Sequence, residues 1–217
     1  IFGYEFLNYI FYFLLKQHII RNFISKCKFM KYDQIPNSLF IKNRKKFMDR
    51  MQPKSIAVFN SNDIYPISAD SVLAFEQHRD IFYLSGADQE ETILVMFPDS
   101  INKKHREILF VRETNEHIAI WEGEKLTKEM ATAVSGIETI HWLKDFDKVF
   151  FDLMTEAETI YFNTNEHYRQ AVETETREDR FIKKYKQQFP AHRVAKSNPI
   201  LQEIRGIKEP EELELMQ

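Results

Sequence analysis

Seven histidines are the first side chains to weigh for chemistry: His18, His78, His105, His117, His141, His167 and His192. None forms an H-x-H pair or an H-E-x-x-H helix face, the spacings that bring two imidazoles onto one metal ion. They read as structural, with His117 and His141 at the heads of strand-like runs. Carboxylates cluster twice, in "DQEET" (Asp88–Thr92) and "ETETRED" (Glu173–Asp179). General acid–base work needs carboxyls converging in a water-poor cleft, and both clusters read instead as hydrated surface. Five glycines, with no G-x-G-x-x-G, P-loop or G-x-S-x-G, leave no phosphate-cradling turn and no nucleophile elbow. One cysteine, Cys27, excludes a disulfide framework, a thiolate zinc site and an iron–sulfur cluster. It fits a reducing compartment, and the cytoplasm is the expected location.

Around these residues the chain has ordinary globular composition, 43% hydrophobic and 29% charged, with a net charge of −3. "FIKKYKQQF" mixes bases with aromatics, but its neighbours are acidic, so no nucleic-acid partner is expected. Residues 1–29 stand apart: apolar, rich in Phe, Ile, Tyr and Asn, with four basic side chains against Glu5 alone. Their apolar run, Phe6–Leu15, is interrupted by Asn8 and falls short of the roughly 20 residues a membrane span needs. The charges follow that run rather than precede it, against a signal peptide. The segment reads as a non-native or upstream extension with Met30 as a natural start, the alternative being a membrane or partner anchor; for the protein as a whole no membrane partner is expected.

From Met30 onward the pattern alternates between two periods. "NRKKFMDRM" has helical spacing. "SIAVFN", "RDIFYLSG", "TILVMF", "EILFV" and "HIAIWEG" read as strands, the last three as an antiparallel meander. "TKEMATAV" and "DFDKVFFDLMTEA" read as helices, "ETIHWL" and "ETIYFN" as strands. Residues 166–189 form a charge-laced, mostly helical stretch, followed by "HRVAK" and the helical "PILQEIRGIK". Strands with interspersed helices and an antiparallel pair define an α/β domain with a mixed sheet. "KEPEELEL" then has the signs of a new helix, with Pro210 at its first position and Glu211 and Glu212 in its first turn.

Three stretches, in order, resemble a known family. "HRDIFYLSGADQEETILVMFPD" (His78–Asp99) is similar to the R-x-x-x-D-F-x-Y-L-T-G segment of the aminopeptidase P amino-terminal domain, matching at Asp80, Tyr83, Leu84 and Gly86, with Arg79 standing next to the aspartate rather than four positions before it. "EILFVRETNEHIAIWEGEKLT" (Glu107–Thr127) resembles the strand that leads to x-I-W-x-G-x-R. Ile120, Trp121 and Gly123 fill that signature, and Lys125 stands near the arginine. "EIRGIKEPEELELMQ" resembles the R-x-x-K-[ST]-P-x-E-[LI] junction, with Arg205, Lys208 and Pro210 in place and Glu209 where serine or threonine is usual.

The resemblance implies a mixed sheet of about six strands flanked by helices over residues 30–205. Residues 206–217 would then be the junction and the start of a catalytic domain. It implies that the parent protein is a Xaa-Pro aminopeptidase, a metallopeptidase acting on proline-containing peptides, and a homo-oligomer. Two Mn(2+) ions would be held by ligands in that catalytic domain and activate a bridging water. No ligand maps onto this chain, so the fragment is expected to bind no cofactor and to be inactive alone. Phe82 matches an aromatic that, in some members, reaches a neighbouring subunit's cleft and lines the substrate entrance; the alternative is that it only packs in the sheet. A prolidase half, or an inactive peptide- or protein-binding module of the same architecture, would share these motifs.

Overall fold

A computed structural model describes residues 35–115, 118, 120, 123–164 and 173–217. The apolar segment 1–29, Met30, His117, Trp121 and His167 lie outside the described residues. Among the described residues the strands are β1 (Ser55–Asn60), β2 (Pro66–Ser68), β3 (Ser71–Val72), β4 (Ile93–Met96), β5 (Glu107–Val111), β6 (Thr139–Trp142), β7 (Thr159–Phe162) and β8 (Arg193–Lys196). Six of them form one sheet in the order β6-β5-β4-β1-β7-β8. The β1–β4 and β4–β5 pairs are antiparallel, whereas β1–β7, β5–β6 and β7–β8 are parallel. Only β4 therefore runs against the other five. β2 and β3 make a separate small hairpin.

"SIAVFN" is buried at all six positions because the central strand β1 is covered on both faces. Successive side chains alternate across the sheet. Ile56 and Val58, with Ile93, Val95, Ile108 and Phe110, face one layer, and Ala57, Phe59, Leu94, Met96 and Leu109 face the other. The first layer holds α4 (Phe146–Met154) and α5 (Arg177–Gln188), through Phe146, Phe150, Leu153, Phe181 and Tyr185. The second holds α1 (Asn37–Met48), α2 (Arg79–Ser85), α3 (Lys128–Ser135) and α6 (Asn198–Gly206), through Phe47, Ile81, Leu84, Ala131 and Leu201. α7 (Pro210–Leu215) ends the chain. This is the helix-flanked mixed sheet expected from the resemblance. No helix among the described residues is long and apolar enough to cross a membrane.

Three readings change. "RDIFYLSG" is helix α2, not a strand. Its aromatic and β-branched residues favour extended chain, yet its buried residues, Ile81, Leu84 and Ser85, follow helical spacing. Both ends also carry helix signals: the His78 ring accepts from the Asp80 amide, and Gly86 closes the helix at φ 68° with its amide donating to Phe82 O. The proposed meander holds for β4 and β5 only. Ile118 and Ile120, the described members of "HIAIWEG" before Gly123, are helical, and the next neighbour of β5 is the parallel strand β6. The described part of the 166–189 stretch is helical only from Arg177, where Thr176 and Asp179 form a reciprocal capping box.

Gly86 has a second constraint. A Cβ there would lie 2.3 Å from the Phe40 ring, at a φ that side chains resist. Gly86→Ala is expected to cost about 2 kcal/mol, read as a lower unfolding midpoint. A variant as stable as the parent would mean that Phe40 swings aside freely.

Candidate functional site

The motif residues meet where α2 passes the end of α6. Asp80 accepts from Arg205 Nη1 at 2.5 Å and from Asn163 Nδ2 at 3.1 Å, while His78 Nδ1 stands 3.8 Å from its second oxygen. Asn163 Oδ1 in turn accepts from Ser197 Oγ at 2.8 Å. The Arg205 guanidinium lies over the Tyr83 ring, 5.3 Å from its centroid, and the Tyr83 hydroxyl donates to Ile204 O at 3.5 Å. Burial, with the carboxylates of Glu212 and Glu209 adding to it, pushes the Tyr83 phenol up to about 12. It therefore stays a neutral donor.

From Arg205 the chain turns into α7. Lys208 donates to Arg205 O, and Pro210 takes the first helical position. The Glu209 carboxylate pairs with Lys46 and lies 3.8 Å from Lys42. The Glu212 carboxylate accepts from the Glu209 amide at 2.9 Å, and Glu211 pairs with Lys42 at 2.5 Å. Asp80, Tyr83, Arg205, Lys208 and Pro210 thus belong to one region. Leu84 is core and Gly86 a helix end. Arg79 is exposed, and Gly123, at φ 80°, stands in open space. Phe82 is half-buried and meets Phe40 edge-on, ring centroids 6.0 Å apart.

Beside this junction is a cavity of about 430 Å³, lined among others by Asn60, Tyr65, Phe75, His78, Asn163 and Glu178. It lies at the carboxyl ends of β1 and β7. From β1 the chain goes on to β4 on one side of the sheet, and from β7 to β8 on the other. Such divergence points are where open α/β sheets present crevices. The Glu178 carboxylate accepts from Asn60 Nδ2 at 2.8 Å and from the Asn163 amide at 3.4 Å. Burial nevertheless pushes its pKa up to about 7, those hydrogen bonds opposing the rise. Burial also pulls the His78 imidazole down, against the pull of Asp80. The arrangement can hold a proton near neutrality. Among the described residues no three His, Cys, Asp or Glu side chains are grouped so as to hold a metal ion. They do not fit a metal pair.

Sequence reasoning missed Asn60, Asn163, Ser197 and Glu178. The available signal was an asparagine closing each of two apolar runs, "SIAVFN" and "TIYFN". "DQEET" also departs from a hydrated surface: Glu90 is buried and pairs with Lys125, and Gln89 accepts from the Leu126 amide at 2.6 Å.

A model of the family described as the aminopeptidase P amino-terminal domain matches residues 40–161. The chain belongs to this family. It is 23% identical to the Xaa-Pro aminopeptidase of Escherichia coli over 184 residues, covering 84% of this chain and 42% of that protein. It is 24% identical to human Xaa-Pro aminopeptidase 3 over 159 residues, 72% of this chain and 31% of that one. Among solved structures, the low-pH form of E. coli aminopeptidase P superposes with a TM-score of 0.69 at 21% identity, over 84% of this chain and 41% of that one. A Pseudomonas aeruginosa aminopeptidase gives 0.68 at 21%, with the same coverage. The fold is therefore the aminopeptidase P amino-terminal fold, and the chain spans less than half the length of these relatives.

Proposed function

We propose that this chain is the non-catalytic amino-terminal part of a manganese-dependent Xaa-Pro aminopeptidase of the cytoplasm. The parent enzyme removes the residue preceding proline from peptides and works as a homo-oligomer. The two Mn(2+) ions belong to a catalytic domain beyond this sequence. The present chain shapes the entrance to the cleft, with Phe82 at its lip. The supporting observation is the union of two family segments, 79–86 and 205–210, in one bonded unit. That union gives α7 a defined direction and displays Phe82 from the same block.

With manganese added, the full gene product is expected to release the first residue of an Arg-Pro-Pro-type peptide, and the 217-residue chain alone to release none. Turnover of Xaa-Pro dipeptides only would make the parent a prolidase, and no turnover at all would leave a binding module. Within an active parent, Phe82→Ala is expected to lower kcat/KM about tenfold without changing the oligomer. An unchanged kcat/KM would confine Phe82 to packing on Phe40.

A further inference from the structure

Helix α2 has seven residues, too few to hold its own position. Its carboxyl end is fixed from α1: Asn43 Nδ2 donates to Tyr83 O at 3.0 Å and Arg44 Nη1 to Leu84 O at 2.9 Å. Its amino end is held through Asp80, whose strongest partner, Arg205, is 125 positions away in the last turn of α6. At about 100° per residue, Asp80 and Tyr83 share one side of α2, and Phe82 lies about 160° from Asp80 on the other. Arg205 grips both residues of the first side. Phe40, which Phe82 meets edge-on, belongs to α1. That helix is also tied to the junction, by Lys46 to Glu209 and by Lys42 to Glu211. Both supports of Phe82 are therefore ion-paired to residues 205–211.

We propose that the 205–211 junction sets the position of Phe82, with Asp80 and Arg205 as positioning residues that carry the setting through α2. The mechanical part of this proposal stands on the contacts alone, and its catalytic meaning rests on the function proposed above. The pair is partly exposed, with Asp80 and Arg205 side chains at 17% and 37%, so its removal loosens the junction without opening the core.

Amide exchange in this chain tests the mechanical part. Arg205→Ala and Asp80→Ala are each expected to speed exchange in residues 79–86 about tenfold, and the double variant no further. Arg193→Ala, which removes an edge-strand pair with Glu158, should leave those amides unchanged. Unaltered exchange in both single variants, or fully additive effects, would overturn the link. In the active parent, Arg205→Ala is expected to raise KM for a proline-containing peptide more than it lowers kcat. The Asp80→Arg/Arg205→Asp swap should restore KM. In a Phe82→Ala background, Arg205→Ala should have no further effect, and a persisting effect would show that Arg205 acts by another route. A wild-type parent without peptidase activity would defeat the proposed function, while exchange would still decide the link.

Discussion

Arg44→Ala is expected to remove about 3–5 kcal/mol of stability, the cost typical of breaking a buried charged network on one side. The Arg44 side chain is fully buried, with Nε 3.1 Å from the Glu107 carboxylate. Its Nη1 donates to Leu84 O and Ser135 O, both at 2.9 Å. Those two carbonyls belong to the last turns of α2 and α3, helices that each end on a left-handed glycine, Gly86 and Gly136. One guanidinium thus satisfies two orphan carbonyls and sits at the negative ends of two helices. Burial pulls its pKa down and Glu107 opposes that shift, and a guanidinium keeps its proton in any case. Alanine would leave both carbonyls buried without a donor and a hole where the stem lay. Arg44→Met keeps most of the volume and isolates the polar share, expected at about 2 kcal/mol. Urea unfolding reads both as lower midpoints with an unchanged slope. A loss under about 1 kcal/mol for alanine would mean that water reaches the carbonyls.

That arginine shows which parts of the fold were legible. "NRKKFMDRM" reads as an amphipathic helix with its charges outside, and Arg44 is indistinguishable there from Lys45 or Lys46. Only the approach of α2 and α3 to α1 turns one of three neighbouring bases into a buried crosslink. Strands β1, β4, β5, β6 and β7 were readable because their apolar runs end at polar or turn residues. β8, "RVAK", was not, because it lies at the sheet edge with mostly exposed side chains and is defined by its pairing with β7. α2 was misread because composition spoke for a strand while the deciding information lay in its two ends.

The site divides in the same way. Resemblance marked Asp80, Tyr83, Arg205 and Pro210, yet nothing in a linear pattern says that positions 80 and 205 touch. The partners that complete the cluster, Asn163 and Ser197, follow strands β7 and β8. Their neighbourhood comes from parallel pairing, which has no local signature. Glu178 was hidden for a different reason. In "ETETRED" every residue looks solvated, but the Thr176–Asp179 box fixes where α5 begins. That start places Glu178 in the first turn, against the ends of β1 and β7.

Glu178 gives the second large effect, a stability that falls as the solution becomes less acidic. Its folded pKa is raised to about 7 from an ordinary 4.5. Between those values the folded state binds the extra proton, so stability decreases with rising pH. The contribution is complete below about pH 4.5 and is lost as pH passes about 7, a swing of at most about 3 kcal/mol. His78 and His141, both pulled down by burial, slope the opposite way, losing stability as pH falls. The wild-type curve therefore mixes both signs, and the difference from Glu178→Gln isolates the carboxyl. Glutamine stays neutral throughout, and its amide can donate to Asn60 Oδ1, which is buried without a partner. Glu178→Gln is expected to match the parent near pH 5 and exceed it by about 2–3 kcal/mol at pH 8, measured by urea midpoints. A constant offset across that range would mean that Glu178 is ionised throughout, with the Asn60 and Asn163 hydrogen bonds outweighing its burial. A gap that widens with pH would identify the carboxyl at the ends of β1 and β7 as a proton-binding group of the fold, held by the same asparagine that steadies Asp80.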